Sequence, residues 1–357
     1  MSKVAFRRAL LPFLSLLDRS ATAPNEQPSP DEERTRFPEF PWDLRTIIMV
    51  LPEDAPFRFL NLNTVLGMTG VPFDQVEKWR GSDPKDGFDL QFCLDGSSGC
   101  AAYKRYHSIG SELEYRPHDL FLKLGQRLLL QGQWPQYSLR YTQPEIDLEL
   151  SLELYSWSGF HWWACAPSIY SHYTTFCDCR LEWRWKGDKG QLEGPALHDH
   201  GWGKNMLPLR TPLRVFRYEV MRFPKGAFAI SLWTEGPAKL ELKNVGLIRY
   251  DKQPVIFMEQ YECRVLEWDV FNNYAGRSCR VPRRWIGTQK GARGEFQYEA
   301  LRKTEPRAVL GEGFLYGFDF QGQWTDCPGE RIQGQGYVEQ LGRFTRPSEK
   351  NRTATTR

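Results

Sequence analysis

The sequence contains no run approaching the roughly 18 apolar residues that a membrane-spanning helix needs, which excludes a helical membrane bundle. None of its eight cysteines fall into a Cys-x-x-Cys spacing, which excludes a zinc-ribbon reading. Gly-x-Gly-x-x-Gly, a Walker loop, Gly-x-Ser-x-Gly and His-Glu-x-x-His are all missing. Nothing therefore demands a nucleotide, a flavin, a serine nucleophile or a resident metal, and no cofactor is expected. Charge of one sign is also scarce. The chain has 47 basic and 44 acidic side chains, a net +3 with histidines neutral. The excess sits in two tails, Lys3, Arg7 and Arg8 at one end and Arg343, Arg346, Lys350, Arg352 and Arg357 at the other. No phosphate-tracking surface remains in the middle, so a nucleic-acid partner is not expected.

What the chain does have is aromatic side chains: 14% of its 357 residues, as 13 Trp, 15 Tyr and 22 Phe. Aromatics at that density fill wide cores or line a cavity for something apolar. With 41% hydrophobic and 25% charged residues the composition is that of a folded chain, and the length suggests about two domains. The scattered cysteines do not form a dense framework, which points to a reducing compartment. Cys177 and Cys179 flank Asp178 and read as two small buried hydrophobes in preference to a metal pair.

The first 36 residues read as a separate basic segment and linker. Lys3, Arg7 and Arg8 precede a short apolar stretch, Ala9 to Leu17, interrupted by Pro12 and cut off by Asp18-Arg19. A short amphipathic helix resting on a membrane surface fits these residues, as does a weak signal peptide directing export to the periplasm, or a plain tail. A cytoplasmic protein with peripheral membrane contact is the expectation. Residues 24–36 (PNEQPSPDEERTR) are polar and Pro-rich, as linkers are.

From Phe37 onward the pattern is strand-like. Ile146 to Leu154 alternates strictly, with 146, 148, 150, 152 and 154 apolar, so one face meets a core and the other meets water. Arg180 to Trp185 and Lys239 to Lys243 alternate in the same way. Many short strands broken by Gly, Pro, Asn and Asp mean antiparallel sandwiches or barrels. The expected fold is all-β, with one β domain over 37–210, a second over 211–344 and a basic tail over 345–357 that is expected to be disordered. The boundary is placed by Pro208 and Pro212, which cannot both occupy central strands.

Three constellations carry the chemistry. The first is His198-Asp199-His200-Gly201-Trp202-Gly203. On a strand, His198, His200 and Trp202 share one face and Asp199 takes the other, while the glycines suggest a bulge or a close backbone approach. A buried Asp199 has a raised pKa and suits a general acid, with a histidine as base or water-orienting group. A structural hydrogen-bond knot fits the same residues, and so does a His-x-His metal site completed by His161 or His172. The second is the aromatic run from Trp157 to Tyr173, which brings Trp163 and Tyr170 near His161 and His172. It reads as a barrel core or as an aromatic box around a cation. The third is Gly334-Gln335-Gly336-Tyr337-Val338-Glu339, where Tyr337 and Glu339 share a face. Glu339 is expected to pair with Arg283 or Arg284 and pin the domains together, or to serve catalysis.

The ordered set of Tyr170-Ser171, Asp199-His200-Gly201-Trp202-Gly203, Pro282-Arg283-Arg284-Trp285 and Gly334 to Gly342 resembles the two-domain, lipocalin-like superfamily of carotenoid 1,2-hydratases, over roughly residues 110–343. The resemblance implies two consecutive lipocalin-like barrels or half-barrels with an apolar cavity near their junction. It also implies chemistry without metal or organic cofactor on a long isoprenoid or polyene. A double bond is protonated and the cation is trapped by water or an internal nucleophile. Asp199 would be the proton donor, with His198 and His200 setting its protonation or positioning water. Trp202, Tyr170 and Trp163 would stabilise positive charge, and His172, Tyr337 and Glu339 would line the substrate. A lipid carrier without chemistry, and a scaffold for a pericyclic cyclisation, use the same cavity and stand as alternatives.

Overall fold

The computed structural model describes residues 33–67, 87–96, 99–109, 112–157, 161–166, 170–203, 215–224, 228–235, 241–249, 256–258, 260–272, 276, 278–292, 294–309, 313–325 and 331–342. The expected N-terminal helix, the proline-marked boundary at 204–213 and the basic tail lie outside them. Among the described residues no helix is long and apolar enough to cross a membrane.

The chain is almost entirely antiparallel β. The first sheet is formed by β1 (Trp42–Val50), β2 (Phe57–Leu66), β3 (Gly87–Gly96), β4 (Gly99–Ile109), β5 (Leu113–Tyr115), β6 (Leu120–Leu124), β7 (Leu128–Gln133), β8 (Gln136–Gln143), β9 (Leu148–Ser156), β10 (His161–Ala166), β11 (Tyr170–Trp185) and β12 (Asp188–Gly203). The second comprises β13 (Val215–Arg222), β14 (Phe228–Glu235), β15 (Glu241–Arg249), β16 (Ile256–Met258), β17 (Gln260–Asn272), β18 (Ser278–Gly291), β19 (Gly294–Arg302), β20 (Arg307–Val309), β21 (Gly313–Trp324) and β22 (Arg331–Gly342). The first sheet runs β4-β3-β2-β1-β12-β11-β9-β8-β7-β6-β5, with β10 on β11. The second runs β16-β15-β14-β13-β22-β21-β19-β18-β17, with β20 on β21. In each sheet the last long strand pairs with the first, so β12 pairs β1 and β22 pairs β13. The result is two half-barrels in tandem.

Alternation explains which residues fill the interiors. In β9, Leu148, Leu150, Leu152 and Leu154 are buried in the first half-barrel, and the residues between them face outward. The strand begins two residues later than the pattern suggests. Pro144 opens a short 3-10 turn through Ile146, and Asp147 takes a left-handed conformation (φ 52°) before the strand can start. Cys177 and Cys179 sit in the same core as free thiols, behaving as small hydrophobes.

The second half-barrel closes around ions as well as apolar groups. Arg217 and Glu219 on β13 are fully enclosed and bonded to each other, Nη2 to Oε1 at 2.5 Å. The Tyr261 hydroxyl donates to Glu219 at 2.8 Å and the Tyr298 hydroxyl donates to its other oxygen. Arg217 also donates to Tyr316 and Gln340 at 3.0 Å and lies over the Trp285 ring, 4.7 Å from its centroid. These bonds tie β13 to β17, β19, β21 and β22 across the interior. Buried charges this well partnered hold their positions, whereas removing one partner strands the other.

The two sheets pack through their outer faces. Ile47 and Met49 on β1 point into the first interior, while Ile48 and Val50 join a cluster with Leu197, Phe176, Tyr218, Phe228, Leu315 and Tyr337 at the junction. Phe59 meets Tyr337 edge-on with centroids 4.9 Å apart, and Arg58 bridges to Asp319 at 2.5 Å. The central strands β1, β11, β12, β13 and β22 are consequently buried on both faces along this contact.

Glu219→Ala should lower the unfolding free energy by about 3–5 kcal/mol, because it leaves Arg217 enclosed without its counter-charge. Denaturant unfolding measures this. A loss under about 1 kcal/mol would show that water reaches the interior of the second half-barrel.

Candidate active site

The junction collects polar groups from both sheets. On the first sheet, Asp199 is flanked in register by Thr174 on β11 and Thr46 on β1. The row continues through Asn63 on β2 to Gln91 on β3. On the second sheet, Glu339 on β22 lies directly across from Tyr218 on β13, and Tyr337 lies two residues before it on the same face.

Asp199 is enclosed. Its Oδ1 accepts a 2.5 Å hydrogen bond from the Thr174 hydroxyl, which itself accepts the Trp163 indole N–H at 2.5 Å. Burial pushes the Asp199 carboxyl up to about 7; the Thr174 bond opposes this shift and the nearby Glu339 adds to it. Glu339 retains some accessible surface, yet the protein around it also raises its carboxyl to about 7 through desolvation. The Tyr337 hydroxyl donates weakly to Glu339 at 3.4 Å and accepts from Asn61 Nδ2 at 3.0 Å. His172 Nε2 is 4.0 Å from Asp199 Oδ2. Burial, and then the neighbouring His200, lower His172 to about 3, so it is neutral at pH 7 and does not hold Asp199 ionised. The rings of Trp163 and Tyr218 meet edge-on, 6.2 Å apart.

The junction thus brings together Asp199, Glu339, Tyr337, Trp163 and His172. It does not include His198, His200 and Trp202, which project from the opposite face of β12 into the first half-barrel. There His200 Nε2 lies 3.1 Å from Asp43 Oδ2 and its Nδ1 lies 3.1 Å from the Tyr173 hydroxyl. Burial and then Arg45 lower His200 to about 4. The imidazole is therefore neutral, donating to the Asp43 carboxylate and accepting from Tyr173. His198 has no hydrogen-bond partner and packs edge-on against Tyr137 at 4.7 Å. Trp202 packs with Phe40, Trp162 and Tyr173 beneath Arg36. The structure makes the histidine face of this motif a structural knot and leaves its acid on the reactive side.

Further expectations resolve here. Tyr170 starts β11 opposite Gly203, and its side chain lies outside the described residues. The register of β12 with β1 and β11 runs unbroken through Gly201 and Gly203, so the expected bulge is absent. Arg283 and Arg284 pair instead with the exposed Glu267 and Glu299, and among the described residues no arginine pairs with Glu339. Among the described residues no group of three or more His, Cys, Asp or Glu is placed to hold a metal ion. One cavity of about 550 Å³ is described elsewhere, at the mouth of the first half-barrel beside Glu33, Arg116 and Tyr137.

Sequence reasoning missed Thr174, Tyr218 and Asn61. Thr174 was within reach, because it shares alternation with His172. Tyr218 was not. In Val215 to Arg222 the charged Arg217 and Glu219 read as the solvent face, yet they face a closed interior and Tyr218 faces the junction.

A family model described as a family of unknown function (DUF6670) matches residues 96–353, and the chain belongs to that family. No curated protein matches the sequence. Among solved structures, a Nitrosomonas europaea protein assigned as AttH superposes with a TM-score of 0.60 at 11% identity, covering 90% of this chain and 99% of its own. Kievitone hydratase from Nectria haematococca gives 0.60 at 12% identity, covering 90% and 94%. CghA, solved with Sch210972, gives 0.56 at 8% identity, covering 85% and 89%. At these identities the likeness is one of fold, and that fold is one a hydratase uses.

A carboxyl raised in the folded state binds a proton that the unfolded chain releases, so stability falls as pH rises from about 4 through about 7. Asp199→Asn keeps an oxygen to accept the Thr174 bond but removes one such titration. Its melting temperature relative to the native chain should rise progressively between pH 5 and pH 8, as measured by thermal unfolding. A pH-independent difference would place Asp199 at its ordinary pKa.

Proposed function

We propose that this member of the DUF6670 family is an acid–base enzyme. It would add water, or an internal hydroxyl, across a carbon–carbon double bond of an apolar substrate held at the junction of the two half-barrels. The observation that carries this reading is the pair of carboxyls brought from opposite sheets, each pushed up to about 7. Two interacting carboxyls titrating in that range share one proton near neutrality, which supplies an acid and a base together.

The roles follow from exposure. Asp199, enclosed and hydrogen-bonded through Thr174 and Trp163, is the acid. It delivers its proton to one alkene carbon and leaves positive charge on the other. The edge-on rings of Trp163 and Tyr218 lie beside that charge and each can stabilise it by about 1–2 kcal/mol when desolvated. Glu339, the carboxylate with accessible surface, takes a proton from the attacking water or hydroxyl as the new carbon–oxygen bond forms. One proton has then left Asp199 and one has reached Glu339. Its return restores the pair, and the product has gained one water or closed one ring. Tyr337 hydrogen-bonds Glu339, and the neutral His172 lies beside Asp199 where it lines the substrate. No step calls for a redox group.

Support for the substrate class comes from two sides. The resemblance to carotenoid hydratases favours an isoprenoid or polyene. The shared fold includes one protein named for hydrating kievitone and another solved with a small organic molecule.

The test is mass spectrometry of lipid extracts of the native host incubated with the purified chain. A species heavier by one water, or an isomer with one fewer double bond, should appear with the native chain. It should fall by roughly 100-fold or more with Asp199→Asn and with Glu339→Gln. The rate should be greatest near pH 7 and decline on both sides, as one carboxyl or the other enters the wrong state. Extracts that bind the protein and return unchanged would establish a carrier instead.

A further inference from the structure

We infer that the molecule bound at the junction carries a hydrogen-bonding oxygen on its apolar body, and that the Tyr218 hydroxyl receives it. The inference rests on the reading of the junction as a substrate site and adds the substrate's class: an alcohol, phenol or carbonyl compound, not a plain hydrocarbon.

The observation is a set of unmet hydrogen bonds. Buried polar atoms in proteins are nearly always partnered. On the junction faces the Tyr218 hydroxyl, Asn61 Oδ1 and Asn63 Oδ1 are among the atoms that are not. Tyr218 is 3% exposed and its ring is held between Trp163 and Phe216, each at 6.2 Å. Its hydroxyl lies within electrostatic reach of the Thr174 hydroxyl, which donates to Asp199 and accepts from Trp163, but it makes no hydrogen bond of acceptable geometry there. Asn61 is 1% exposed and spends its Nδ2 on Tyr337, leaving its oxygen open. Asn63 lies in the row that contains Asp199.

These atoms surround the two carboxyls. Tyr218 is the cross-strand neighbour of Glu339, and Asn61 reaches Glu339 through Tyr337. The buried phenols of the interiors behave differently. There the Tyr261, Tyr298, Tyr316 and Tyr173 hydroxyls each find an acceptor. An enclosed phenol donor beside an acid–base pair, in a chain that satisfies its other large phenols, is a docking point for an acceptor that arrives with the ligand. A hydrocarbon would desolvate all three atoms and satisfy none. A site built to hydrogen-bond an oxygen rejects the analogue lacking it.

The experiment compares farnesol with farnesene, the same isoprenoid chain with and without a hydroxyl, by quenching of tryptophan fluorescence in the full chain. The native protein should bind farnesol about tenfold or more tightly than farnesene. Tyr218→Phe should remove most of that preference while leaving farnesene binding and the melting temperature unchanged, since the lost hydroxyl had no partner. Asp199→Asn should keep the preference, which separates recognition from chemistry. Equal binding of the two probes, a preference that survives Tyr218→Phe, or a clear fall in melting temperature in that variant overturns the inference. Farnesene binding with no preference for farnesol would leave the junction as the binding site, and failure of both probes to bind would remove that reading as well.

Discussion

Two half-barrels packed outer face to outer face must desolvate whatever the central strands carry on those faces. That constraint governs the rest of the molecule. A half-barrel ordinarily turns its outer face to water, so a strand such as β12 would have one buried side and one wet side. Here the stretches of β12, β11, β1, β13 and β22 along the contact are enclosed on both. Asp199 and Glu339 sit on those enclosed faces, and the loss of water raises both carboxyls.

The enclosed polar groups divide into two kinds. Within the half-barrels, charges are paired and phenols bonded. Arg217 meets Glu219, two tyrosines donate to that glutamate, and His200 links Asp43 with Tyr173. Such networks fix strand positions and have nothing left to offer a ligand. At the junction the carboxyls are shifted toward neutrality, which costs stability above their ordinary pKa. Cost of this kind, concentrated where two sheets meet, is typical of sites kept for function.

The likeness to a bacterial AttH protein, a fungal hydratase and CghA spans most of each chain at about one residue in ten identical. An architecture can persist through that much replacement because alternation and packing are specified by residue class. Activity depends on particular side chains, and so the functional argument here is built from the junction and not from the fold.

Much of the architecture was legible in the chain. Strict alternation over Leu148 to Leu154, turn residues between short segments and the absence of helical spacing all follow from the two-residue period of a strand, which is a local property. The same period separated Asp199 from His198 and His200 and put Tyr337 and Glu339 on one face. What it could not say was which face meets what. Arg217 and Glu219, which no local pattern singles out, are at the centre of a barrel; Glu339 invited an arginine partner and faces an aspartate's sheet instead; His198 and His200 looked like catalytic partners of Asp199 and belong to another interior. Periodicity assigns a residue to a side, but whether that side is wet, apolar or opposite another carboxyl depends on how strands more than a hundred residues apart are brought together. Only the tertiary structure decided that, because the electric environment of a side chain is set by its neighbours in space.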